Sequence, residues 1–261
     1  MSFYAFSKPS YYKFCEEQYN IAKDCSTIRI GTLWGFRTTE DKFLQDQGEG
    51  KFEFNISFPD LTPVSPEWLS EVGSDTWEHG TLDGLSISSS GPAIKELSLT
   101  GSYSNCWIYC VSSRPTAAGN ISQKYPSKWE IPADNMVNFG LYLRQLLWEH
   151  LSIADLPNYL IQENSLSALQ RGLSLSLTME QVDYGNRTVE ARSEADLPIE
   201  KLRHLKTRIP FTKPNNFIEE SEFRFVFALM FENERVSIND NAKILNLKPI
   251  KNLIRDAPST F

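Results

Sequence analysis

The chain has 261 residues, 41% of them hydrophobic, 12% aromatic and 23% charged, a composition that supports a substantial core and excludes a disordered chain. Its net charge of −7, with a pI of about 5.1 and a mean hydropathy of −0.36, excludes the broad basic surface that counterion-release binding to nucleic acid requires. No apolar run approaches the roughly 18 residues of a membrane span, and residues 1–10 carry no basic stretch followed by an apolar one, so the expectation is a cytoplasmic chain with no membrane partner.

Ser10, placed after Pro9, precedes apolar Tyr11, Phe14, Cys15, Ile21 and Ala22 at three- and four-residue spacing, which predicts a helix over 10–23. A strand follows over 27–34 and ends near Gly35. After a polar loop, residues 51–58 form a period-two strand with Phe52, Phe54, Ile56 and Phe58 inward. Residues 59–82, broken by Pro59, Pro63, Pro66, Gly73 and Gly80, read as irregular apart from a helical turn over 66–71. Strands are predicted over 84–89 and 94–100. The more apolar run Cys106–Ser112 is predicted to be central, with Cys106 and Cys110 on one face as small buried hydrophobes.

A helix is predicted from Pro132–Asp134 to Leu151, with Val137, Leu141, Leu147 and Leu151 apolar and Arg144 and Glu149 in solvent. A second is predicted over 157–171, closed by Gly172. The pattern then returns to strands: 173–184 alternates, 187–191 is placed to pair with it across the turn at Tyr184–Arg187, 222–230 alternates again, and 243–247 is the last. Strands in both halves, a helical block between them and no linker or repeat together predict one α+β domain.

Four cysteines (Cys15, Cys25, Cys106 and Cys110) without C-x-x-C spacing, and three scattered histidines (His79, His150 and His204), imply no zinc site. The basic run from Lys201 to Arg208 reads as a solvated helix face. Three constellations offer chemistry. In the acidic start of the 222–230 strand, period two puts Glu220, Glu222 and Arg224 on one face and Phe223, Phe225 and Phe227 on the other. Paired carboxylates there suit a site that stabilises positive charge, and the bland alternative is an exposed Glu222–Arg224 ion pair. In the early segment, Arg29 to Arg37 runs through Gly31 and Gly35 and is followed by Glu40, Asp41, Asp46, Glu49 and Gly50. Backbone approaches a ligand closely there and Arg37 offers a phosphate fork, or else Arg37 pairs with Glu40 or Glu49. The third is the strand end Tyr109–Arg114, whose Ser112 and Ser113 either serve a ligand or cap the next loop. No G-x-S-x-G, P-loop or dinucleotide glycine fingerprint is present.

In order, Ile30-Gly31-Thr32-Leu33 with Arg37, Asp46-x-x-Glu49-Gly50, Cys110-x-Ser112 and Phe217-x-x-Glu220-x-Glu222-x-Arg224-Phe225 span roughly residues 27–228. This pattern resembles a bacterial and phage group related to abortive-infection proteins, of the ADP-ribosyltransferase-like superfamily. The resemblance implies a single domain with a split mixed or antiparallel β-core, flanked by helices, that binds NAD as co-substrate between its halves. It implies that Arg37, or in second place Arg29, holds the NAD phosphates or ribose, and that Asp46, Glu49 and Arg224 line the same pocket. Ser112 would orient the nicotinamide ribose, Glu222 would be the catalytic glutamate and Glu220 would engage the acceptor. The middle motif here reads Cys110-Val111-Ser112-Ser113 where the family has Ser-Thr-Ser, and Arg37 lies beyond its strand. The implied activity is ADP-ribosyl transfer to a macromolecular acceptor by a toxin or phage-defence effector, with an inhibitor or antitoxin protein as a further partner. The alternatives are an NAD glycohydrolase, an RNA-cleaving effector, and a non-catalytic interaction protein on the same fold.

Overall fold

The first predicted helix is a strand. Tyr11, Lys13 and Cys15 also alternate with Tyr12 and Phe14, and the chain uses this period of two: β1 (Ser10–Cys15) pairs along its whole length with β8 (Ser127–Pro132), from Ser10 opposite Pro132 to Cys15 opposite Ser127. A pairing partner more than a hundred residues away decided between two local patterns, and only a 3-10 turn at Glu17–Tyr19 remains of the helix. The computed structural model describes residues 6–38, 45–73, 77–83, 86–88, 91–116, 124–239, 241–248, 250 and 252–257.

Continuing along the chain, β2 (Thr27–Thr32) leads into the single turn α1 (Gly35–Thr38). β3 (Lys51–Pro63) buries Phe52, Phe54, Ile56 and Phe58 as its alternation predicts, but runs five residues further than expected. The excursion expected to be irregular carries regular elements. Ser65 Oγ accepts from Trp68 N at 3.2 Å and caps α2 (Pro66–Val72), and β4 (Trp77–Asp83), β5 (Ser86–Ser88) and β6 (Gly91–Ser102) follow. Then come β7 (Trp107–Ser112) and the long helix α3 (Met136–Glu149). Its buried face is Met136, Phe139, Gly140, Leu143, Leu146 and Leu147, so the apolar stripe includes Leu147 but not Leu141, which is 40% exposed.

The expected second helix is broken in two, α4 (Asn158–Glu163) and α5 (Leu166–Gly172). Asn164 Nδ2 donates back to Leu160 O at 3.0 Å, and Ser165 Oγ caps the second piece by accepting from Ala168 N at 3.3 Å. The remaining elements are β9 (Leu173–Gln181), β10 (Asp183–Tyr184), β11 (Thr188–Ala191), α6 (Ile199–Arg208), β12 (Thr212–Lys213), β13 (Glu222–Phe231), β14 (Glu234–Val236), β15 (Lys243–Asn246) and β16 (Arg255–Asp256). The hairpin expected between 173–184 and 187–191 does not form: β11 lies parallel to β3, from Thr188 opposite Glu53 to Ala191 opposite Ile56, while β9 pairs with β13. The chain is therefore α+β, with antiparallel and mixed sheets and helices.

The contacts gather into two compact units. The first comprises Met1–Gln47, Asn105–Val182 and Asn216–Phe261, and the second Gly48–Ser104 and Asp183–Asn215. The first unit holds a nine-stranded sheet in which β7 pairs along its length with β13. The other edge of β7 is shared: Trp107 and Ile108 pair with Thr32 and Gly31 of β2, and Ser112 pairs with Tyr12 of β1. The sheet forks there. One wing continues as β1, β8 and β16, the other as β2 and β15. Inside the fork, Lys13 Nζ donates to the carbonyl of Cys110 at 2.9 Å. α3 covers one face of this sheet, with Phe139 5.8 Å from Phe225 and from Trp129 and 5.9 Å from Tyr109, ring centre to ring centre.

The second unit is built on the five-stranded sheet β11-β3-β6-β4 with β5 added to β6. Trp68 is fully buried there and donates from Nε1 to Leu197 O at 2.7 Å. Gly50 opens β3 at φ 67, a left-handed turn that a glycine adopts without steric cost, and its carbonyl accepts from Tyr103 N at 2.8 Å.

Candidate functional site

The late acidic motif and the middle serine motif meet in the first unit. Antiparallel register sets Glu222 directly opposite Ser112 and Arg224 opposite Cys110, and residues paired in this way share a face. On the far side of β13, Arg224 is opposite Glu180 of β9. The face turned away from the α3 core therefore carries Ser112, Cys110, Glu222, Arg224 and Glu180, while Phe223, Phe225 and Phe227 lie in the core as the alternation predicts.

Glu222 and Arg224 are not an exposed pair at a strand end. Arg224 is 1% exposed and Glu222 5%, Nε donates to Oε1 at 2.7 Å, and Nη2 approaches Oε2 at 3.4 Å. An ion pair this deep is held within one strand, by residues two apart on the same side, and not across strands. Cys110 stands beside it. Burial first, and the Glu222 charge second, hold its thiol well above the ordinary value, so it stays neutral.

Glu220 is not on the strand. It closes a 3-10 helix, Asn215–Glu220, and Ser221 then turns the chain at φ 45, so Glu220 and Glu222 do not share one strand face as period two alone implies. Sequence alternation carries no signal for a non-glycine residue in the left-handed region. What fixes the turn is the end of β7: Ser112 Oγ donates to Glu220 O at 2.9 Å, and Ser113 donates to Ser221 O from both N at 2.8 Å and Oγ at 3.0 Å. Arg114 N donates to Ser112 Oγ at 3.1 Å. The motif at 220–222 is thus tied to the serines of the middle motif by three hydrogen bonds, and a left-handed serine so held stores local strain of the kind that clusters at functional sites.

The early motif is divided. Arg37 lies in the single turn α1, directly after the β2 wing, with its guanidinium 5.0 Å from the Trp34 ring centre. Asp46 is buried, its N donating to Phe36 O at 3.0 Å, and Gln45 Nε2 donates to Arg37 O at 2.9 Å. Arg29 is exposed on β2. Glu49 belongs to the second unit, fully buried, with Arg187 Nη2 at 3.5 Å from Oε1. Within that unit Glu49 forms an ion pair with Arg187. Glu40 and Asp41 lie outside the described residues.

The basic run of α6 is largely neutralised within the second unit. Arg203 Nε is 2.9 Å from Glu71 Oε2, Lys206 pairs with the same glutamate, and Arg208 Nη2 is 2.6 Å from Asp183 Oδ2. Near the fork, the sequence singled out neither Lys13, nor Glu180, nor the pair on the β1 wing in which Tyr12 is opposite Glu130 with Lys128 Nζ 5.7 Å from the Tyr12 ring centre. Each becomes visible only through strand register. Burial, and then Glu130, raise the Tyr12 hydroxyl above its ordinary value.

Compared with known proteins, the chain matches no protein-family model, no curated protein and no solved structure.

Proposed function

We propose that the chain is an NAD-dependent ADP-ribosyltransferase whose substrate cleft is the fork of the nine-stranded sheet. The observation that carries this reading is the meeting of the two central motifs, with Glu222 opposite Ser112 across β13 and β7 and the left-handed Ser221 between the two glutamates held by Ser113.

In the reaction, the bond between the nicotinamide nitrogen and the ribose anomeric carbon breaks, and its electron pair leaves with nicotinamide. The acceptor's nucleophile forms the new bond at that carbon and gives up its proton. Positive charge builds on the ribose in between, and Glu222 is the group to stabilise it and to accept from the ribose 2′-hydroxyl. Arg224 fixes the orientation of that carboxylate and balances its charge in a site too dry to solvate it. Ser112 anchors the backbone of Glu220 and faces the same side of the sheet as Glu222. Glu220, half-buried ahead of the strand, is the acceptor-side carboxylate. Arg37 on the β2 wing, with Arg29 as the second choice, supplies the guanidinium fork for the diphosphate, beside Asp46. The buried pairing of Glu49 with Arg187 supports a structural role for Glu49 in its own unit rather than a place on NAD.

Such an activity suits a toxin or phage-defence effector acting in the cytoplasm and restrained by an inhibitor or antitoxin protein. Neutralisation of the α6 cations weighs against the RNA-cleaving alternative. The test is nicotinamide release from NAD with and without cell extract: release that needs extract fits transfer, release without it fits NAD hydrolysis at the same site, and no release under either condition sinks both.

A further inference from the structure

β9 is a nine-residue strand paired with β13 in unbroken register from Leu173 opposite Phe231 to Gln181 opposite Phe223, and among the described residues no strand pairs with its other edge. An open edge of this length normally carries a lysine, a proline or a bulge that discourages another strand from adding to it. β9 has none of these: it reads Leu-Ser-Leu-Ser-Leu-Thr-Met-Glu-Gln, with Glu180 as its single charge. Every residue from Leu173 to Thr178 keeps solvent exposure, whereas Glu222 to Leu229 of its neighbour are buried throughout. Beside the edge, α3 and the start of β9 enclose an open groove of about 670 Å³ whose apolar lining includes Leu141, Trp148, Leu173 and Leu175. Leu141 and Trp148 are the large apolar residues that the α3 core leaves outside, at 40% and 42% exposure. An exposed tryptophan beside a leucine at a strand edge has the make-up of an interface anchor.

We infer that this edge is a homodimer interface, in which β9 pairs antiparallel with β9 of a second copy about a two-fold axis at Leu177. The occupant is argued from the strand itself. In that register Leu175 faces Met179, Ser176 faces Thr178, Leu177 faces its own copy and Glu180 faces Ser174, so apolar meets apolar and polar meets polar at every position except the two ends, where Leu173 faces Gln181, and the two glutamates lie far apart. The pairing joins two nine-stranded sheets into one and brings each copy's groove to the shared edge.

Sedimentation velocity across a concentration series, from nanomolar to tens of micromolar, tests the inference. The wild-type chain is expected to pass from monomer to dimer. The register makes a signed prediction: Ser174→Glu sets a second carboxylate against Glu180 of the other copy at two symmetry-related places and weakens the dimer by about two- to thirty-fold, while Ser174→Lys sets an opposite charge there and leaves it unchanged or tighter. Ser174 is exposed, and matching thermal melts establish that both variants are folded. A wild-type chain that stays monomeric throughout, or a dimer on which the two variants act alike, overturns the inference. Capture of a foreign strand by a monomeric chain is a different occupant and also overturns it.

Discussion

Replacing Arg224 by alanine is the sharpest test of how the acidic strand is built. The guanidinium is 1% exposed, with Nε 2.7 Å from Glu222 Oε1 and Nη2 3.4 Å from Oε2, and Glu222 is itself 5% exposed. Removal of the cation takes this partner from a carboxylate that is itself almost fully buried, and breaking a buried pair from one side costs about 3–5 kcal/mol. For a chain of this size each kcal/mol is worth about 2–4 °C in melting temperature, so Arg224→Ala is expected to lower it by roughly 6–20 °C. Arg224→Lys rescues only part of this, because a lysine keeps the charge and loses the two-pronged fork. Replacing both partners by apolar residues, Glu222→Leu with Arg224→Met, recovers most of the loss, since neither charge is then stranded. Differential scanning calorimetry of the four proteins measures the series. An Arg224→Ala protein that melts within about 2 °C of wild type refutes the buried pair and returns it to the surface.

Two further outcomes concern the core. The Cβ that any residue other than glycine places at position 140 meets Met179 Sδ at 2.9 Å and Leu177 Cδ2 and Phe225 Cδ1 at 3.0 Å, so Gly140→Val should cost about 1–3 kcal/mol by forcing α3 off the sheet; an unchanged urea midpoint contradicts the close seat of this helix. Burial pushes the Cys15 thiol from an ordinary 9.0 up to about 11, so the folded chain keeps a proton that the unfolded chain gives up. Its contribution to stability is full below about pH 9 and is lost as pH rises towards 11. Urea unfolding over that range should show a shallower decline for Cys15→Ala than for wild type, and equal slopes refute the assignment.

The parts of the fold that were legible in the sequence are those where one periodicity dominates. β3 alternates phenylalanine and isoleucine with polar residues, β13 sets phenylalanine at every second position from Phe223 to Phe227, and α3 is long enough for its helical character to show. Where a segment satisfies two periods, long-range pairing decides: Tyr11 and Cys15 fit a helix or a strand, and β8 selects the strand. β11 could not be placed from its neighbours because its partner, β3, lies more than a hundred residues earlier and runs parallel to it. The division into two units left no linker to read, since each is assembled from separate stretches of chain.

At the candidate site, the residue types and their order pointed to Glu222 and Ser112, and strand register brings these two together. Their surroundings were hidden for physical reasons. The left-handed turn at Ser221 depends on Ser113 across a strand, the depth of Arg224 depends on β9 and β7 flanking β13, and Lys13 belongs to the site only because β1 and β2 diverge from one edge.

The central claim is that Glu222 acts on the ribose of NAD, and the most direct measurement follows two labels on that dinucleotide, one in nicotinamide and one in adenine, with the wild-type chain and Glu222→Gln in the presence of cell extract. The glutamine keeps the shape and loses the charge that stabilises the cation, so the account predicts free nicotinamide and adenine label bound to a macromolecule in equal amounts for the wild type, and neither for a folded Glu222→Gln protein. Equal release by both proteins, or none by a folded wild type, contradicts it.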